Sequence, residues 1–479
     1  MSLRSVTTHR TAWVVALTGI GSLMAALDTL VVATALSTIR VDLGATVEQL
    51  EWTVNAYNLS FAVLMITGAA LGDRYGRRNG YAAGLALFAV ASAACALAPS
   101  VGWLIAARAL QGVGAALLMP LALTLLSAAF PPERRGAAIG IYSAITGIAV
   151  ASGPFLGGVV VEGAAWQWIF WLNVPIGLVA ALLVLVRVPE RRGPDTALDV
   201  RGIALVTGAA LGIVWGLVRG NAAGWGSAEV VGTLMAGVLL LVAFVGWERR
   251  APAPMVPMRL FRSRGFSAGN AVSFFTTASL FAAVFFFAQL LEVGLGYSPL
   301  DTGVRLVTWT ITFITIAPLA GAMADRIGVR PLIIGGLSLQ TAGLAWLALT
   351  VSTDTTYVEL IGPFLLSGVG VSMAIPGMQT AVMTSVSQDE IGKAAGTNSM
   401  MREMGGVLGI ALTVAVFAGV GSYASPAAFI DGFVPAAAVC AGLALAGAVC
   451  GLALPRRRAA TAAAESGFAP IPQTAKAEV

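Results

Sequence analysis

The chain has 479 residues, 58% of them hydrophobic and 11% charged. Soluble domains carry about a quarter charged residues, so this composition excludes an ordinary globular enzyme and puts the chain in a bilayer. The formal charge of +5 does not mark a nucleic-acid binder. Every Lys and Arg except Arg40, Arg108, Arg219 and Arg305 falls on one side of the topology below, as positive-inside anchors do.

A bilayer core of about 30 Å takes about 20 apolar helical residues, and fourteen stretches qualify: 12–38, 50–71, 79–98, 102–129, 137–161, 168–188, 201–218, 229–247, 266–293, 301–323, 331–350, 357–385, 394–420 and 433–454. An even count puts both termini on one side. The segments "DRYGRR", "PPERR", "VPERR", "DRIGVR" and "PRRR" fall there too, so both ends are expected in the cytoplasm. The small residues Ala33-Thr34-Ala35 resemble a signal cleavage site, but the first stretch is too long for a signal h-region and reads as an uncleaved span.

Span one carries Asp28 inside "GSLMAALDTLVVATAL". A charged group there costs roughly 3 kcal/mol or more unless it faces protein or water, so it marks function or a buried pair. At about 1.5 Å per residue it lies in the outer half, at a depth that Arg108 of span four can share. One reading is an ion pair that only fixes packing. The other makes Asp28 the proton carrier, its charged form disfavoured by desolvation and favoured when Arg108 approaches. The only histidine, His9, is in the N-terminal tail, so proton chemistry inside the membrane falls to carboxylates.

Span two offers Trp52, Asn55, Tyr57 and Asn58 to a mostly apolar cavity, joined by Gln289 of span nine and Gln340 of span eleven. Trp103, Trp166 and Trp168 read as interfacial anchors. In span five, Gly153 and Gly157 have the small-xxx-small spacing of close helix packing, and Pro154 removes a backbone hydrogen bond. Glu292, near the outer end of span nine, either contacts a cationic substrate or sits in the external mouth. Arg402 and Glu403 are adjacent on span thirteen and cannot face each other, so each needs another partner. For Arg402 that is most simply the interface.

Asp73-Arg74-Tyr75-Gly76-Arg77-Arg78 after span two recurs as Asp325-Arg326-Ile327-Gly328-Val329-Arg330 after span ten. With spans seven and eight as an insert, both copies follow the second helix of a six-helix half, as in a parallel repeat. The expected divisions are a cytoplasmic tail at 1–11, a six-helix bundle at 12–190, two inserted helices at 191–250, a linker at 251–265, a second six-helix bundle at 266–454 and a disordered tail at 455–479. Asp73 can accept from a helix N-terminus of the other bundle, and Arg77 and Arg78 can pair with nearby acids, bracing the cytoplasmic side shut. Gly76 suits the tight turn.

These motifs in this order resemble a drug:proton antiporter of the fourteen-helix branch of the major facilitator superfamily. "GDRYGRR" is similar to the family's loop motif, Arg108-Ala109-Leu110-Gln111-Gly112-Val113-Gly114 to RxxQGxG of helix four, Gly153-Pro154-Phe155-Leu156-Gly157-Gly158 to GPxxGG of helix five, and "WQWIFWLNVPIG" to the opening of helix six. The family's first-helix pattern LDxTIVNVALPxI keeps its acid at Asp28 but has Leu30, Ala33 and Ser37 at its polar and proline positions. Ala69 replaces a glycine that Gly321 retains in the second copy, and Glu292 and Glu403 stand where glutamine is commoner. The resemblance implies an all-α transporter with two six-helix bundles plus two inserted helices, working as a monomer by alternating access in a bacterial plasma membrane. It implies a small-molecule substrate, no nucleic-acid partner, and no cofactor beyond the proton as coupling ion. An exporter of amphipathic drugs is expected, with a dedicated exporter of one endogenous metabolite or antibiotic as the alternative. A membrane sensor or scaffold would need a partner-binding domain, for which the gaps are too short.

Overall fold

The computed structural model describes residues 3–130, 142, 145, 149, 152–153, 155–192, 199–386 and 390–455, and among them every regular element is helical. The helices are α1 (Leu3–Leu43), α2 (Val47–Tyr75), α3 (Arg77–Ala96), α4 (Val101–Ala129), α5 (described over 155–163), the single turn α6 (Trp168–Trp171), α7 (Asn173–Arg187), α8 (Val200–Ala223) and α9 (Ala228–Glu248). After a short 3-10 segment at Met258–Arg262 follow α10 (Arg264–Gln289), which ends in a π turn at Leu290–Gly294, then α11 (Pro299–Ile327), α12 (Val329–Thr350), α13 (Tyr357–Met383), α14 (Ile391–Val420) and α15 (Pro426–Gly451). Twelve helices are long and apolar enough to cross a bilayer, and α2, bent by 52° between Val47–Met65 and Thr67–Tyr75, makes a thirteenth. The fifth expected span, 137–161, and the tail beyond Pro455 fall largely outside the described residues.

One face carries the 73–78 and 325–330 turns and is called here the basic face; the other is the far face. Four of the long helices that start on the far face are capped by hydroxyl side chains that satisfy one of their first free N–H groups. Thr46 caps α2 in a capping box with Gln49, Ser100 caps α4, Ser298 caps α11 ahead of Pro299, and Ser425 caps α15. On the basic face α2 passes to α3 and α11 to α12 through one glycine each, Gly76 at φ +117° and Gly328 at φ +86°. An L side chain is strained there, which is why the repeat keeps glycine at both turns.

The apolar core is distributed unequally. On the far face one cluster runs through both halves of the chain, joining Val32, Leu36, Leu104 and Phe170 to Phe286, Leu306, Phe417 and Phe429. Towards the basic face the halves have separate clusters. Leu17, Tyr81, Leu118 and Val184 belong to one, and Val272, Ile333, Leu337 and Met378 to the other. A further cluster joins α2 to α14 with the inserted helix α8 between them, through Leu59, Val63, Val214, Met400 and Val407. Among the described residues the molecule is therefore joined by one apolar cluster on the far face and by separate ones towards the basic face, with α8 strapping one seam.

Candidate functional site

Asp28 and Arg108 meet inside the first bundle. Arg108 Nη1 donates to Asp28 Oδ2, and the residues are 4% and 1% exposed. The other carboxylate oxygen, Oδ1, accepts from Gln111 Nε2 at 2.7 Å and from Asn173 Nδ2 at 3.3 Å. Gln111 lies one turn beyond Arg108 on α4, so both side chains share a face. Its Oε1 accepts from Arg108 Nη1 at 2.7 Å, and its Nε2 also reaches Ser92 Oγ of α3 at 2.8 Å. Arg108 Nε donates to the Thr53 carbonyl of α2 at 3.0 Å, and the guanidinium lies 4.3 Å from the centroid of the Tyr57 ring. Five helices thus supply a buried carboxylate–guanidinium pair. A buried pair is weak evidence for stability, while a single ionisable acid held among donors inside a membrane is suited to take up and release a proton.

The far face is closed by contacts between the bundles. Ser37 of α1 donates to Glu292 in the π turn after α10, and the Arg40 guanidinium sits 4.8 Å over the Tyr423 ring, whose hydroxyl donates to Gln289. Burial pushes the Tyr423 phenol up, with Arg40 opposing the rise and Glu51 adding to it. Glu162, at the end of α5, accepts from Ser298 Oγ at 2.7 Å and from the Leu300 N–H at 2.9 Å, capping α11 from the other bundle. The two adjacent glycines of the fifth-span motif separate two contacts. A Cβ on Gly157 would stand 2.1 Å from Thr34 Oγ1 of α1, and one on Gly158 would stand 2.3 Å from the Pro299 carbonyl oxygen of α11. A Gly158→Leu substitution is expected to wedge α5 from α11. Its signature is loss of the disulfide that Glu162→Cys and Ser298→Cys form on the wild-type background.

The other candidate residues are placed as follows. Tyr57 lies in the first bundle's core beneath Arg108 and its hydroxyl reaches the Ala25 carbonyl at 3.3 Å. Gln340 lies within the second bundle, donating to Ser279 of α10 at 3.1 Å. Trp52 packs on Trp215 of α8 at a centroid distance of 6.1 Å. Trp166 is no interfacial anchor; it is buried and its indole donates to Asp42 at 2.6 Å, whereas Trp103 and Trp168 are each 53% exposed. Asn55 and Asn58 are buried on α2.

On the basic face, Asp73 accepts from Arg77 Nε of its own turn at 2.6 Å. Arg78 pairs with Glu190, which follows α7 and caps α3 by accepting from the Arg78 and Asn79 N–H groups. These acceptors belong to the first bundle, so the expected reach of Asp73 to the other bundle is not the arrangement in this conformation. Arg326, Gly328 and Arg330 stand at the matching turn, while Pro154 and the Asp325 side chain lie outside the described residues. Glu403 is buried on α14, and the Arg402 carbonyl accepts from Thr277 at 2.7 Å. Two arginines that break the charge rule find partners. Arg219 pairs with Glu229 at 3.1 Å, and Arg305 with Asp301 at 2.6 Å while lying 3.9 Å over Tyr297.

Sequence reasoning did not single out Gln111, Asn173, Thr53 or Glu51. The first two sit inside motifs, and their signal is spacing, since Gln111 is three residues from Arg108. Thr53 acts through its backbone and leaves no mark in sequence.

The chain matches the profile of the Major Facilitator Superfamily over residues 18–409 and 270–477. It is 37% identical over 397 residues to the tetracenomycin C resistance and export protein of Streptomyces glaucescens, covering 82% of this chain and 73% of that protein. It is 34% identical to the multidrug resistance protein Stp of Mycobacterium tuberculosis, covering 84% and 75%. Among solved structures, a bacterial homologue of the human lysosomal transporter Spinster superposes with a TM-score of 0.67 at 14% identity, covering 92% of this chain and 96% of the other, a likeness of fold alone. With helices, motif positions and relatives in agreement, the chain belongs to the Major Facilitator Superfamily and is a multi-pass membrane transporter.

Proposed function

We propose that this transporter exports amphipathic small molecules across a bacterial plasma membrane in exchange for protons, with its basic face and both termini in the cytoplasm. The observation that carries the reading is the buried Asp28–Arg108 pair with Gln111 and Asn173 as further donors. With Asp28 ionised, its charge balances Arg108 and holds α1 to α4. A proton on Asp28 removes the countercharge, and the guanidinium falls back on Gln111 Oε1, the Thr53 carbonyl and the Tyr57 ring. That shift pulls on α2, which packs against α14 of the other bundle. Alternating the access of this site across the membrane couples proton entry to substrate exit. Asp73, Arg77, Arg78 and the 325–330 turn brace the basic face in the outward-open state, and the conformation described here is the opposite one.

The test uses everted vesicles with an imposed proton gradient and a pH-sensitive dye. Adding a transported compound partly dissipates the gradient in vesicles containing the protein and not in empty ones. An unchanged gradient during demonstrable export refutes proton exchange. A narrower reading, a dedicated exporter of one antibiotic, is favoured by the relative named for tetracenomycin C and by a cephamycin export protein that is 34% identical. A response confined to one chemical series supports it.

A further inference from the structure

Helix α2 has two polar sides, and only one belongs to the ion pair. Thr53 and Tyr57 turn towards Arg108, and Ser60 donates to the Ala109 carbonyl at 2.8 Å, so this side is fastened to α4. At 3.6 residues per turn, Glu51, Asn55 and Asn58 fall on a narrow strip on the other side of the helix. Ala62 continues that strip, and it packs with Leu59 and Val63 in the cluster that holds Met400, Met404 and Val407 of α14. The strip therefore borders the seam between the bundles.

Glu51, Asn55 and Asn58 are 0%, 0% and 1% exposed. Asn55 Nδ2 donates to Glu51 Oε1 at 3.1 Å, but Glu51 Oε2, Asn55 Oδ1 and both amide atoms of Asn58 have no partner in the protein. Buried polar atoms are nearly always satisfied, and an unmatched one carries its full desolvation penalty. Four of them on one strip, at the seam that must part during transport, indicate a partner acquired in another step of the cycle. Asp28 already has donors on both of its oxygens within the first bundle.

We infer that the Glu51–Asn55–Asn58 strip is the substrate-recognition face of the transporter and that it receives hydrogen-bond donors, hydroxyl or ammonium groups, along one edge of an amphipathic ligand. Three of the four unmatched atoms are acceptors, Glu51 Oε2, Asn55 Oδ1 and Asn58 Oδ1, against one donor, Asn58 Nδ2. Seven residues of helix span about 10 Å, enough for several donors on one ring system. Resting on the transport reading above, this makes α2 the part that couples the two ligands. One side follows the charge on Asp28 through Thr53 and Tyr57, and the other follows the substrate.

The test uses the full-length protein in everted vesicles with an imposed proton gradient and two probes. Doxorubicin carries phenol, hydroxyl and ammonium donors; tetraphenylphosphonium is a cation with none. Glu51→Gln and Asn58→Ala are expected to raise the apparent KM for doxorubicin about ten-fold, the effect of one strong hydrogen bond, and to leave that for tetraphenylphosphonium unchanged. Equal effects on both probes, or none on either, overturn the donor class. A second measurement needs no substrate. Asn58→Cys is made with Cys95, Cys440 and Cys450 replaced by alanine and exposed to a water-soluble maleimide. Reaction from the basic face supports the strip as passage lining, and failure to react from either face overturns it even where transport is intact. If the wild type moves neither probe, the donor class falls together with the broad exporter reading, while the labelling result still judges the strip's position.

Discussion

Asp28→Asn is expected to bring proton-driven export down to the level of empty vesicles while leaving the protein folded and in the membrane. Asparagine keeps the shape, and its carbonyl still accepts from Gln111 or Asn173, so the helix contacts at 2.7 Å and 3.3 Å have a replacement acceptor. Arg108 keeps the Gln111 oxygen, the Thr53 carbonyl and the Tyr57 ring. What is lost is a group that changes charge. The discriminating measurement is counterflow of substrate without a gradient. It persists in the variant if Asp28 serves coupling, and it disappears along with driven export if Asp28 serves packing. Retention of full gradient-driven export would remove Asp28 from the proton path and make Glu403 and Glu292 the acids to test next.

Arg108→Met produces the larger structural effect. It leaves Asp28 as a charge buried among α1, α3, α4 and α7 without its cation, and breaking a buried pair from one side costs about 3–5 kcal/mol. The yield of monodisperse protein after detergent extraction and its thermal midpoint are both expected to fall sharply. The double variant Asp28→Asn/Arg108→Met removes both charges and is expected to recover most of that stability while remaining unable to couple. If the double variant were as unstable as the single one, the pair would be a packing element whose shape matters more than its charge, and the proton assignment would weaken. This two-way comparison separates charge from fit because the two residues are in direct contact.

How much of this was legible in the sequence depended on whether a residue's depth or its direction carried the information. Depth was readable. Counting residues along spans one and four put Asp28 and Arg108 at one level, and the structure brings them into contact. Gln111, one turn from Arg108, had a spacing that could have placed it, although sequence reasoning did not single it out. Direction was not readable on α2, which carries polar residues on two opposite sides and so offers no single face to set its rotation. Tyr57 was therefore assigned to the cavity although it turns into the first bundle, and Glu51 was not singled out. Gln340 failed for the same reason: on a helix apolar all round, a lone amide does not announce whether it points to the bundle core or to the passage between bundles. Trp166 and Trp168 are two residues apart and so point different ways, and composition gave both the same role. Gly157 was read as a packing residue and Gly158 only as part of the GPxxGG motif, not as neighbours serving two different helices, because that follows from where α1 and α11 lie.

The unequal division of the apolar core makes the direction in which the transporter faces depend on heat. Opening the far face wets the cluster in which Phe286, Phe417 and Phe429 join Val32, Leu36 and Leu104, and exposing apolar surface raises heat capacity. Closing the basic face brings together the separate clusters there and offsets this change only in part, because the far-face cluster is the larger. The equilibrium between the two facings is therefore expected to follow a curve in temperature, with a far-face seal that is mainly entropic near room temperature and weakens on cooling. Cooling is then expected to shift the resting population towards the form opened on the far face, so the carrier would begin its cycle from a different state in the cold with the same sequence and the same gradient.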